Sequence, residues 1–106
     1  MDLGLKGKRA IVTGGTRGIG RAIVELLTDE GCDIAFCARN GDEVFETHEI
    51  LSKRGTRIIS GAVDVTQSSS FRNWIVDSAE VLGGLDILIA NASALSVGAD
   101  EEAWRT

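Results

Sequence analysis

Apolar positions along the chain fall into short continuous runs that alternate with longer, spaced patterns. Arg9–Thr13 is a short apolar run and reads as a strand. Ile19, Ile23, Leu26 and Leu27 then recur at helical spacing, and Gly31 follows where a helix would close on a glycine. Residues 34–38 form a second strand-like run. Residues 41–53 carry a second helical pattern with Val44, Phe45 and Leu51 on its inner face and Gly55 at its end. Residues 57–63 are rich in β-branched side chains and predict a third strand. Phe71, Ile75, Ser78 and Leu82 mark a third helix, stopped by Gly83-Gly84, and residues 85–90 predict a fourth strand. Strands that look buried on both faces and alternate with helices predict an α/β fold, a parallel sheet with right-handed crossovers and helices on both sides.

One junction in this pattern is unusual. Between the first strand and the first helix the chain reads AIVTGGTRGIGRA, with glycines at 14, 15, 18 and 20. A turn between strand and helix needs one or two glycines, and each further one costs conformational entropy on folding. Four in seven residues imply that something approaches the backbone closely. A helix N-terminus offers unpaired N–H groups and a partial positive charge, which suit a phosphate. The phosphate loop of nucleoside triphosphatases, G-x-x-x-x-G-K-[ST], fails here, because the frame from Gly15 ends Gly20-Arg21-Ala22. The G-x-G-x-x-G dinucleotide fingerprint fails as well, since the glycines run G-x-x-x-G-x-G from Gly14. A nucleotide pyrophosphate remains the leading ligand.

The stretch Thr13-Gly14-Gly15-Thr16-Arg17-Gly18-Ile19-Gly20 resembles the T-G-x-x-x-G-x-G cofactor motif of the short-chain dehydrogenases/reductases. Asp64-Val65, at the end of the third strand, resembles that family's adenine-contacting pair, in which the carboxylate takes the amino group and the next backbone N–H meets a ring nitrogen. Ala90-Asn91-Ala92-Ser93, closing the fourth strand, is similar to the family's N-N-A-G, with Ala90 and Ser93 as departures. The resemblance implies a Rossmann-type, doubly wound sheet of order 3-2-1-4 with a nicotinamide cofactor across the carboxyl ends of the strands. It places Gly14, Thr16, Gly18, Ile19, Gly20, Asp64, Val65, Asn91 and Ala92 in the cofactor site.

The end of the second strand bears on which cofactor. NAD-binding sites of this kind carry an acid there, about 20 residues beyond the glycine loop, for the ribose hydroxyls. Here the junction reads Cys37-Ala38-Arg39-Asn40. Arg39, with Arg17 inside the loop and the Thr16 hydroxyl, suits a 2′-phosphate through charge-assisted hydrogen bonds. Single arginines are ordinarily just solvated, but two at these two places on an acidic chain point to NADP(H) over NAD(H). Asp42 and Glu43, just beyond, read as acids of a helix's first turn, favoured by the dipole, and not as ribose ligands.

Composition narrows the classes that remain. A chain of 106 residues that is 43% hydrophobic and 25% charged supports one domain at most, with a modest core. A net charge of −5 argues against a general binder of nucleic acid or anionic membranes. The start, MDLGLKGKRA, has no apolar signal-like region, and no run approaches a membrane span, so a cytoplasmic location is the default expectation. Cys32 and Cys37 sit five residues apart on an extended segment, roughly 16 Å at 3.3 Å per residue, too far for a disulfide. Two free thiols fit a reducing compartment, and no Cys/His cluster suggests a metal. His48, the single histidine, reads as a boundary residue of the second helix, Trp74 and Trp104 as packing or subunit contacts, and Asp100, Glu101 and Glu102 as the first turn of a fourth helix.

The family's chemistry passes hydride between nicotinamide and a carbonyl or alcohol, possible substrates here including a 3-oxoacyl thioester. Its acid/base is a tyrosine whose pKa is lowered by a lysine four residues on, with a serine orienting the substrate. This chain has no tyrosine, and Lys6, Lys8 and Lys53 all come too early for that part. Residues 1–106 therefore read as the NADP(H)-binding half of a longer reductase, a homo-oligomer by resemblance, with no catalytic residue of its own. The alternative is a catalytically silent NADP-binding sensor or scaffold. A downstream Tyr-x-x-x-Lys separates the two.

Overall fold

The computed structural model describes residues 4–91. Four parallel strands form one sheet: β1 (Arg9–Thr13), β2 (Asp33–Ala38), β3 (Ile58–Ala62) and β4 (Ile87–Ala90). Between them run α1 (Gly18–Asp29), α2 (Gly41–Leu51) with a 3₁₀ turn at Ser52–Arg54, and α3 (Ser68–Leu82). The strand order is β3-β2-β1-β4, as expected. The register sets Val12 beside Phe36 and Ile89, and Thr13 beside Cys37 and Ala90, so three strands end level at their carboxyl edge.

Alternation along the strands sends side chains to two cores. Ala10, Val12, Ile34 and Phe36 pack with Val24 and Leu27 of α1 and Val44 and Leu51 of α2. Ile11 and Ala35 face the other way, onto Leu82 of α3 with Trp74, Ile75 and Ala79 beside them. Complete burial of β1 and β2 on both faces explains why they read as continuous apolar runs. The chain thus forms the doubly wound α/β architecture that its pattern predicts.

Three apolar side chains expected on helix inner faces are exposed instead: Phe45, Leu26 and Ile19. In α2 the buried line is Val44, Thr47 and Leu51. Phe45 lies about 100° around the helix from Val44 and so leaves that line. A threonine completes the stripe, which an apolar-only reading passes over. In α1 the buried residues are Gly20, Val24, Leu27 and Thr28, and Leu26 falls off that line. Ile19 sits on the first turn, where the helix overhangs a cleft.

The remaining elements match in kind and differ at their ends. β3 begins at Ile58, because the Arg57 N–H donates to Asp33 Oδ1 (2.9 Å). The entry to β4 is clamped by side chains: Arg9 donates from N and Nε to Asp86 Oδ2 (2.9 and 3.2 Å) and from Nη1 to the Gly83 carbonyl (2.7 Å). Trp74 packs, as expected, directly on β3. A Cβ on Gly61 would lie 2.4 Å from its Nε1, so glycine is what lets the indole rest there. His48 is half-buried, with Nδ1 2.8 Å from Ser60 Oγ, joining α2 to β3. Both cysteines are buried free thiols. Ala92, Ser93, Asp100, Glu101, Glu102 and Trp104, each with an expected role, lie outside the described residues.

Candidate nucleotide-binding site

The loop between β1 and α1 is held from below. The N–H groups of Gly14 and Gly15 both donate to the Cys37 carbonyl at the end of β2 (2.8 and 3.2 Å). Gly14 and Gly18 have φ of +69° and +53°, conformations that side-chain-bearing residues rarely adopt. Gly20 is required for a different reason. A Cβ there would stand 1.9 Å from the Gly14 carbonyl oxygen and 2.6 Å from Asn91 Nδ2. The first turn of α1 therefore packs against the loop and the end of β4. The Asn91 N–H in turn donates to Thr13 Oγ1 (2.9 Å), which locks the ends of β1 and β4 together.

Above the carboxyl ends of the strands lies a cleft of about 620 Å³. That size is ordinary for a small-molecule site. Its floor is Gly14, Gly18 and Ile19, its walls Ala38, Val63 and Val65, and Asn91 closes one end. The N-cap of α1 is Arg17, with no side-chain cap on the helix. The N–H groups of that first turn are left for another acceptor. At Gly18 a Cβ would meet nothing within 4 Å, so the loop leaves room for a group lying against its backbone.

The polar rim is Thr16, Arg17, Arg39, Asn40 and Glu43. Asn40 caps α2, its Oδ1 accepting from the N–H groups of Asp42 (3.0 Å) and Glu43 (3.1 Å). That cap fixes where Glu43 starts, and its side chain turns back over the loop. Arg17 donates from Nε to Glu43 Oε1 (2.8 Å) and from Nη2 to Oε2, and Thr16 Oγ1 donates to Oε1 (3.1 Å). The Arg17 hydrogen bond, first among its causes, holds the Glu43 carboxyl below its ordinary pKa, and the same pair raises that of Arg17. Arg39 is exposed and makes no hydrogen bond or ion pair among the described residues.

Of the residues singled out in the sequence, Gly14, Thr16, Arg17, Gly18, Ile19, Arg39, Val65 and Asn91 line the cleft together. Gly20 lies beneath the loop as a packing position. Asp64 flanks the cleft without lining it. Its Oδ1 accepts from Thr66 Oγ1 (2.6 Å) and N (2.9 Å). Those bonds, the hydroxyl's first, lower its pKa, with Arg39 adding a smaller charge effect. Ala92 lies outside the described residues. The sequence reading missed Ala38, Asn40, Val63 and Glu43 as lining residues. The first three sit beside motif positions at strand ends, a signal that was available. Glu43 is indeed a first-turn acid of α2, but it also reaches into the cleft, which helix position alone does not reveal.

A glycine-lined cleft at a helix N-terminus, at the carboxyl edge of a doubly wound parallel sheet, defines the class of Rossmann-type nucleotide-binding proteins. Comparison with known proteins narrows this. Residues 8–105 match the family model described as short chain dehydrogenase. Isoepoxydon dehydrogenase of Penicillium expansum is 37% identical across all of this chain and 42% of its own length. L-sorbose reductase from Gluconobacter frateurii, solved with NADPH and L-sorbose, superposes with a TM-score of 0.81 at 38% identity, over 88% of this chain and 36% of that one. Carveol dehydrogenase from Mycobacterium avium, solved with NAD, gives 0.78 at 29% identity, over 82% of this chain and 36% of that one. The chain belongs to the short-chain dehydrogenase family and spans less than half the length of these relatives.

Proposed function

We propose that this chain is the NADP(H)-binding half of an oxidoreductase that transfers hydride between nicotinamide and a carbonyl or alcohol substrate. The observation that carries the cofactor class is the cleft itself: a glycine floor, an uncapped helix N-terminus and apolar walls at Ala38, Val63 and Val65. Gly14, Gly18 and Ile19 would hold the pyrophosphate through their backbone, and Val63 and Val65 would flank the adenine, with Asp64 at its edge. When bound, the cofactor supplies or accepts the hydride.

NADP(H) in preference to NAD(H) rests on the cationic rim. Arg39 at the end of β2, with Arg17 and Thr16 across the cleft, would take a 2′-phosphate. Hydrogen bonds to charged groups contribute about 1.5–3 kcal/mol each, so one such arginine corresponds to roughly a 10- to 150-fold preference. The test is titration of the full-length protein with NADPH and NADH. NADPH should bind more tightly, the preference should weaken as salt rises, and Arg39→Asp should reduce or invert it. Equal affinities in the unmutated protein would reject NADP(H).

The catalytic groups of such an enzyme are a tyrosine and a lysine that this chain does not supply, so residues 1–106 alone should not turn over NADPH with a ketone panel. General acid–base catalysis is worth typically about 10²- to 10⁴-fold, and its absence is expected to be decisive. The substrate is a small carbonyl or alcohol. The relatives named above are not named for a 3-oxoacyl thioester, and that narrower substrate has no support beyond the resemblance.

A further inference from the structure

We propose that Glu43 is a built-in competitor for the cofactor's 2′-phosphate, holding Thr16 and Arg17 in the free protein and yielding them when the phosphate binds. This rests on the NADP(H) reading and adds a determinant to it. The groups that suit a 2′-phosphate are all anion-binding, and two of the three already have an anion. Glu43 Oε1 accepts from both Thr16 Oγ1 and Arg17 Nε, and Oε2 accepts from Arg17 Nη2. A fork-to-fork pair of this kind is how a guanidinium also grips a phosphate. The carboxylate is therefore placed as a phosphate would be, on the same donors and in the same cleft. Among the described residues Arg39 has no such partner, and it remains for the incoming group.

The contact is one that a ligand can displace. The Arg17 side chain is 78% exposed, and exposed ion pairs hold weakly, up to about fivefold in an equilibrium constant. Retaining Glu43 beside a bound phosphate would also set two anions on one cation. Either way the carboxylate lowers affinity for the phosphorylated ribose and leaves the unphosphorylated ribose largely untouched. The opposite role on the same geometry is positioning, with Glu43 holding Arg17 ready for the phosphate. The two roles differ in sign.

Binding of adenosine 2′,5′-bisphosphate and 5′-AMP to the full-length protein separates them, since these probes differ only in the 2′-phosphate. The readout is the ratio of the two dissociation constants. In Glu43→Gln the preference for the bisphosphate should rise up to about fivefold, and in Glu43→Ala at least as much, with 5′-AMP binding unchanged within about twofold. In an Arg17→Ala background the same substitution should change the ratio by less than about twofold. A rise of equal size without Arg17 would mean plain charge repulsion and overturn the competition. A clear wild-type preference that stays the same in both Glu43 variants would overturn the competition, and one that falls would overturn it and assign Glu43 to positioning. A ratio near one in every variant would overturn both the competition and the NADP(H) reading.

Discussion

At Gly20 an added methyl group would meet the Gly14 carbonyl at 1.9 Å, while at Gly18 it would meet nothing. Two glycines of one motif thus serve separate purposes, and substitution tells them apart. Gly20→Ala should destabilise the fold by about 1–3 kcal/mol or more, because the obstacle is backbone and cannot swing aside. Gly18→Ala should cost only about 1–2 kcal/mol, from its left-handed φ, yet weaken cofactor binding. Denaturant unfolding and nucleotide titration on both variants check this, and equal stability of the two would contradict it. Cys37 makes a further test. Burial pushes its thiol up to about 11, so it should resist thiol reagents at pH 8 in the native protein and react once unfolded. The motif's presence was legible in the residues, whereas the separate job of each glycine was not. The packing job of Gly20 depends in part on Asn91, which is distant in sequence and near only after β4 has paired.

Among the elements, strands were the more legible, because a strand buried on both faces announces itself as an apolar run. Helices were less so. A one-sided helix buries a narrow line, and small or polar residues such as Thr47, Ser78 and Gly20 complete it without an apolar signal. Phe45 and Leu26 were misplaced for that reason. The junction of β2 with α2 is the element most directly tied to the site, since Asn40 both ends the cleft's rim and starts the helix that carries Glu43. Asn40→Ala removes two hydrogen bonds to helix N–H groups and should cost about 1 kcal/mol. It should also loosen the Thr16–Glu43 contact. A thermal midpoint unchanged from the unmutated protein would show that the cap is dispensable.

Across the described residues, three carboxylates share one electrostatic habit. Asp86 is held below its ordinary pKa first by the Arg9 backbone hydrogen bond, Asp64 by Thr66 and Glu43 by Arg17. A folded-state pKa below the unfolded one means stability that is present above the ordinary carboxylate range near 4 and lost as pH falls through the folded value. The thermal midpoint should therefore drop below about pH 4, and less steeply in Asp86→Asn. A flat profile down to pH 3 would argue against it. The clamp that Asp86 makes with Arg9 has another consequence, for the order in which the molecule can form. It joins residues 77 apart, while β1, β2 and β3 pair with near neighbours in the chain. Such distant closure is slow relative to local pairing. During synthesis one side of β1 stays open until β4 emerges, with Thr13 and the glycine loop waiting unfinished beside it. Among the four described strands the site is thus completed by the last, and nested chains ending at Gly84 or at Asn91 should differ sharply in protease resistance of the loop though they differ by only a few residues.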